Sequence, residues 1–219
     1  MRRKLVAGNW KMNLQWNEAM SLVADLVKNE GEWNCDVMIC TPFPYLRHSH
    51  EFLRNAKSSI AVGAQNCAST DNGAFTGEVS ADILASIGSD YVLIGHSERR
   101  EYFNENGEVF TNKLSRAIES GIQPVFCCGE KLEQRQSNNH FEVVKSQLEE
   151  ALFSLSVEDF AKCTIAYEPV WAIGTGETAT PDQAQEMHAY IRKQIASKFG
   201  SDSAESVRIL YGGSVNGGN

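Results

Sequence analysis

The feature that most constrains this chain is a rhythm: short apolar segments rich in β-branched residues alternate with longer stretches of helical period, from one end to the other. Seven segments read as strands: 4–10, 36–42, 60–66, 91–97, 123–129, 163–169 and 207–213. Six helical stretches separate them. Ala184, Met187, Ile191 and Ile195 recur at spacings of three and four, which makes one apolar helix face. Thr180, Pro181 and Gln183 mark its start, because a threonine caps free backbone N–H groups, a proline suits the first helical position and a glutamine completes a capping box. Stretches 15–30 and 106–120 are striped in the same way.

Continuous apolar strands joined by helical crossovers imply a parallel sheet covered by helices. An open doubly wound sheet usually carries a glycine-rich phosphate loop after its first strand. Here that strand runs into GNWKMN, which is no such loop. Polar residues instead mark the C-terminal ends of several strands: Asn9 and Lys11, Gln65 and Asn66, His96, and Glu168. A closed barrel gathers such ends around one axis, where its active sites lie. The length of 219 residues and 42% hydrophobic content suit one core, and no linker or low-complexity tract divides the chain. A single (β/α) barrel domain over residues 1–219 is expected.

Charge and cysteine usage narrow the function. A net charge of -8 with no dense Lys/Arg stripe argues against nucleic acid and anionic membranes as partners. No run approaches a membrane-spanning length, and the LVAG that follows the basic N-terminus is too short for a signal peptide. The six cysteines, Cys35, Cys40, Cys67, Cys127, Cys128 and Cys163, show no C-x-x-C spacing and read as buried reduced thiols of a cytoplasmic protein.

The chemistry sits at the strand ends. Ser97 is positioned to cap the helix that follows His96, and the positive end of that helix disfavours a charged imidazole. Glu168 is followed by PVWAIGTGETA, in which Gly174 and Gly176 free the backbone to approach an anion while Val170, Trp171 and Ile173 are too apolar for permanent solvation. Such a segment reads as a lid. Asn9 and Lys11 are expected on one side of their strand. In YGGSVNGG, Gly212, Gly213 and Ser214 offer backbone N–H groups for an anion nest. A carboxylate base, a neutral hydrogen-bond donor, a cation and phosphate-binding glycine loops together read as carbonyl chemistry. No metal cluster, Walker loop or nucleotide fingerprint competes with them.

The motifs AGNWKMN, GHSERR, YEPVWAIGTG and YGGSV, in this order, resemble the triosephosphate isomerase family throughout the chain. The resemblance implies a TIM (β/α)8 barrel that interconverts dihydroxyacetone phosphate and D-glyceraldehyde 3-phosphate without a cofactor or metal. It makes Glu168 the general base and His96 the neutral acid, a pairing for which this family is a standard example of pKa tuning. It gives Lys11 with Asn9 the stabilisation of enediolate charge. Glu98 matches the carboxylate that pairs with the lysine before substrate arrives, and Cys127 matches a cysteine whose packing supports the base. Gly174, Ser214 and Gly213 match the substrate phosphate site, closed by a lid over 169–179. Loop 65–80, with Thr76 near its tip, resembles the loop that enters a neighbouring subunit and implies a homodimer.

Two departures stand out. Barrels of this type run to about 250 residues, and the sequence reads as truncated after its seventh strand; a seventh helix, an eighth strand with a glycine pair and an eighth helix are expected to continue it. Glu177 stands where many members have a lysine near the hinge of the lid. Two other functions compete: a phosphate-binding barrel fragment without turnover, against which the four polar residues together argue, and an aldolase, which would need a Schiff-base lysine or metal ligands that are not seen.

Overall fold

Runs such as Val-Leu-Ile and Val-Phe-Cys-Cys cannot hide an apolar face by alternation, so they form strands buried on both sides. The computed structural model describes residues 2–173, 178–213, 215 and 217–218. It contains two compact units, one comprising residues up to Ile94 with Lys113–Pro124, the other Gly95–Asn112 with the residues from Val125 onward.

The first unit holds β1 (Lys4–Asn9), α1 (Trp16–Lys28), β2 (Cys35–Thr41), α2 (Phe43–Asn55), β3 (Ala61–Ala64), α3 (Ala81–Ser86) and β4 (Tyr91–Ile94). Helix α4 (Ser97–Tyr102) belongs to the second unit, while α5 (Gly107–Glu119) and β5 (Gln123–Cys128) each contribute to both. The second unit continues through α6 (Leu132–Gln136), α7 (His140–Ala151), α8 (Val157–Phe160), β6 (Thr164–Tyr167), α9 (Pro181–Phe199), α10 (Ser201–Ser206) and β7 (Ile209–Tyr211). All seven predicted strands are present, mostly trimmed at their ends. The crossovers are more broken than expected, because glycine, asparagine and serine split several of the helical stretches into short helices.

The sheet order is β1 to β7 in chain order. Its pairings are parallel, with registers such as Lys4↔Cys35 and Tyr167↔Tyr211. A doubly wound sheet would reverse this order at a switch point; the unbroken order is that of a (β/α) barrel. β4 and β6 are buried at every residue, whereas β1 and β7, at the two ends of the sheet order, are more open, with Val6 57% exposed.

The start of α9 forms as its sequence dictates: the Thr180 side chain accepts from Gln183 N–H, the Gln183 side chain accepts from Thr180 N–H, and Pro181 takes the first turn. Met187, Ile191, Ile195 and Phe199 line its buried face. Five of the cysteines are buried as expected; Cys35, at the open start of β2, is half-buried.

Candidate active site

In the first unit the site residues gather where β1 ends. The strand stops at Asn9, so pleat alternation does not carry Lys11 as the sequence implied. Instead Lys11 adopts a left-handed backbone, φ 52°, a conformation that costs an L residue roughly 1–2 kcal/mol. Local hydrogen bonds hold it there. The Lys11 N–H donates to Asn9 Oδ1 at 3.0 Å, and Gln65 Nε2 donates to the carbonyls of Lys11 and Cys40, both at 2.9 Å. Asn9 therefore shapes the turn that presents the lysine.

Below this turn, loop 65–80 is anchored at its root and exposed at its tip. Asn66, Cys67 and Ala68 are buried, and Ala68 N–H donates to the Val79 carbonyl at 2.8 Å. A buried Lys113 donates from Nζ to Asn66 Oδ1 at 2.7 Å. Thr76 is exposed beside Phe75, an aromatic left 49% exposed.

In the second unit His96 and Glu168 come together. His96 Nε2 lies 3.5 Å from Glu168 Oε2, with the imidazole side chain 7% and the carboxylate side chain 16% exposed. The helix after β4 starts one residue earlier than the sequence suggested: His96, not Ser97, is the N-cap of α4, and its Nδ1 accepts the Glu98 N–H at 3.3 Å. An imidazole nitrogen that accepts carries no proton, so the proton sits on Nε2, facing Glu168. The Glu98 carboxylate is 3.6 Å from Nδ1, too long for a hydrogen bond and partly open to solvent.

Backbone fixes Glu168 on three sides. Its N–H donates to the Cys128 carbonyl at 2.8 Å, and the preceding Tyr167 carbonyl accepts from Gly212 N–H at 2.8 Å. A Cβ at Gly129 would fall 1.8 Å from the Glu168 carbonyl oxygen, and one at Gly212 would fall 2.7 Å from Glu168 Cγ. Both glycines are thus required by close approach. Cys127 is buried in β5, and its Sγ contacts the Val125 carbonyl. Gly213 lies in the turn after β7 with φ 134°. Gly174, Glu177 and Ser214 lie outside the described residues, as does the middle of the expected lid.

Sequence reasoning missed Glu130. It is fully buried beside the start of the expected lid, where it accepts from Tyr167 Oη at 3.0 and 3.1 Å and from Trp171 Nε1 at 2.9 Å. Arg135 Nη1 approaches it at 3.4 Å. Burial and the adjacent Glu130 carboxylate push the Tyr167 phenol well above its ordinary range, so it remains a donor. At the far end of the expected lid segment, Ala179 N–H donates to Tyr211 Oη at 3.2 Å. The signal for Glu130 was available: like Glu168, it is a carboxylate just past a strand end.

Among the described residues no group of His, Cys, Asp and Glu is arranged to hold a metal ion. The family model for triosephosphate isomerase matches residues 4–219. A triosephosphate isomerase of Porphyromonas gingivalis is 52% identical over 221 residues, spanning 100% of this chain and 87% of its relative. One from Bacteroides fragilis is 52% identical over 217 residues, 98% of this chain and 85% of the relative. One from Cytophaga hutchinsonii is 49% identical over 218 residues, with 98% and 86% covered. With its strand order, its strand-end residues and this identity along its whole length, the chain belongs to the triosephosphate isomerase family.

Proposed function

We propose that Glu168 is the base and His96 the acid of the family's reaction, the interconversion of dihydroxyacetone phosphate and D-glyceraldehyde 3-phosphate. Glu168 removes a proton from C1 of the ketose. The C–H electron pair becomes the C1–C2 double bond, and the carbonyl electrons pass to the oxygen on C2. His96 Nε2–H donates to that oxygen and the imidazole moves the proton between the two oxygens; protonated Glu168 then returns its proton to C2. Lys11, presented by Asn9, stabilises the charge of the enediolate. Glu98 holds the lysine before substrate binds, and Cys127 supports the base by packing. Gly174, Gly213 and Ser214 bind the phosphate through backbone N–H groups, while closure of residues 169–179 keeps water out.

The observation that carries this reading is the 3.5 Å approach of His96 Nε2 to Glu168 Oε2, with the protonated nitrogen facing the base. An inert phosphate-binding fragment would have no need of that geometry. Buried free thiols suit a reducing cytoplasm, and among the described residues no helix is long and apolar enough to cross a membrane. A homodimer formed through loop 65–80 accounts for an anchored loop that leaves Phe75 and Thr76 at an exposed tip.

The test is turnover of D-glyceraldehyde 3-phosphate, coupled to reduction of the ketose formed, beside Glu168→Asp. Shortening the side chain withdraws the base, and a misplacement of about 1 Å costs on the order of 100-fold. Equal rates in the two proteins would remove Glu168 from the role.

A further inference from the structure

Arg100 lies on α4 in a stretch, Ser-Glu-Arg-Arg-Glu-Tyr, that reads as a solvated helix face. Its guanidinium is instead turned inward. Nε donates to the Gly95 carbonyl at 2.7 Å and Nη2 to the Cys127 carbonyl at 3.0 Å. Its Cζ lies 4.2 Å from the Phe110 ring centroid and 5.5 Å from that of Phe126. Burial presses its pKa down.

The two carbonyls it holds are not ordinary ones. The Gly95 carbonyl belongs to the peptide unit whose N–H is that of His96, so the bond from Nε fixes the plane from which the imidazole departs. Gly95 has φ 80°, and a Cβ there would lie 2.9 Å from Arg100 Nη2 and 3.0 Å from the Cys127 carbonyl oxygen. The Cys127 carbonyl is one residue before that of Cys128, which receives the Glu168 N–H at 2.8 Å. A continuous path therefore runs from the His96 peptide through the fork of Arg100 to residues 127–128 and on to the backbone of Glu168.

We infer that Arg100 is a positioning residue for the reaction: its guanidinium clamps the Gly95 and Cys127 carbonyls and so fixes the spacing between His96 and Glu168. A planar fork makes two directed bonds at once, whereas an ammonium group does not reproduce that geometry. The inference rests on His96 and Glu168 being the acid and base.

The test compares the wild-type protein with Glu168→Asp, Arg100→Lys, Arg100→Ala, Phe110→Leu and Phe160→Leu. Phe160 stacks on Phe199 at 4.1 Å, so its variant serves as a stability control. For R100K, kcat is expected to fall about 100-fold with KM nearly unchanged, the signature of misplaced reacting groups. R100A is expected to regain activity with added guanidinium ion and not with ammonium. F110L, which keeps the arginine and only loosens its stacking, is expected to lose kcat about threefold. F160L is expected to lose stability without loss of kcat. An active wild type and an impaired E168D, together with an R100K that matches wild type in kcat or loses only KM, overturn the inference alone. Rescue of R100A by ammonium overturns it as well. If R100K does not accumulate as folded protein, an unchanged kcat in F110L does the same. A wild type without isomerase activity removes both the inference and the reading beneath it.

Discussion

The two clusters of candidate residues, one in each unit, are built on different principles. The Asn9–Lys11–Gln65 cluster is held by side chains that bond to backbone within one turn and one neighbouring loop, and its lysine sits in a strained left-handed conformation, half-exposed. The His96–Glu168 cluster is seated on backbone from β5, β6 and the turn after β7, braced by the buried Arg100 fork, with glycines where a Cβ would collide. A long flexible cation can be aimed from a strained turn, because its charge acts at a distance. A carboxylate that must meet a carbon-bound proton needs its position fixed to a fraction of an ångström.

Lys11→Asn separates the cost of that turn from its use. Asparagine tolerates the left-handed region better than lysine but carries no charge. Loss of one electrostatic stabiliser is expected to lower kcat/KM about 1000-fold. The thermal midpoint should hold or rise by about 2–4 °C, the shift that roughly 1 kcal/mol produces in a chain of this size. Thermal unfolding and steady-state kinetics on the same samples read both. A clear fall in the midpoint would break the comparison, because the lysine side chain would then be stabilising the turn it strains.

Gly212→Ala tests the second cluster. A methyl 2.7 Å from Glu168 Cγ forces the carboxylate to move. Kinetics should show kcat down about 100-fold with KM little altered. An unchanged kcat would mean that Glu168 swings aside freely and that its seat is no firmer than that of the lysine.

Much of this was legible in advance, for reasons that differ by residue. The strands were visible because buried parallel strands need unbroken apolar runs, and the start of α9 because Thr-Pro-x-Gln has one common use. Glu168 and His96 were visible as polar groups at strand ends. The turn at Lys11 was not, because lysine gives no local sign of a left-handed backbone; the stabilising partner, Gln65, is 54 residues away. The cap at His96 was assigned to Ser97, since serine is a frequent cap and histidine a rare one. Arg100 was passed over, because only the tertiary packing shows that its guanidinium has its partners indoors.

Alkaline pH sets the two clusters against each other most gently. Burial pushes the thiols of Cys40 and Cys128 up to about 12, and that of Cys163 likewise. Cys40 offers the carbonyl that anchors Trp10 and Gln65, and Cys128 the one that anchors Glu168. An unfolded thiol ionises near pH 9.0, so above that pH the unfolded chain has lost protons that the folded chain keeps. Stability is then full below about pH 9 and declines as pH rises toward the folded value, by roughly 1 kcal/mol per pH unit for each thiol. Urea unfolding from about pH 8 to about pH 11 should show a plateau and then this descent. Cys40→Ala and Cys128→Ala should each make the descent shallower by a similar amount, since both thiols are equally buried. Only the Cys128 variant should also lower kcat, because the cavity it opens lies beside the carbonyl that seats the base; an equal fall in kcat from the Cys40 variant would show that the lysine cluster needs the same rigidity after all.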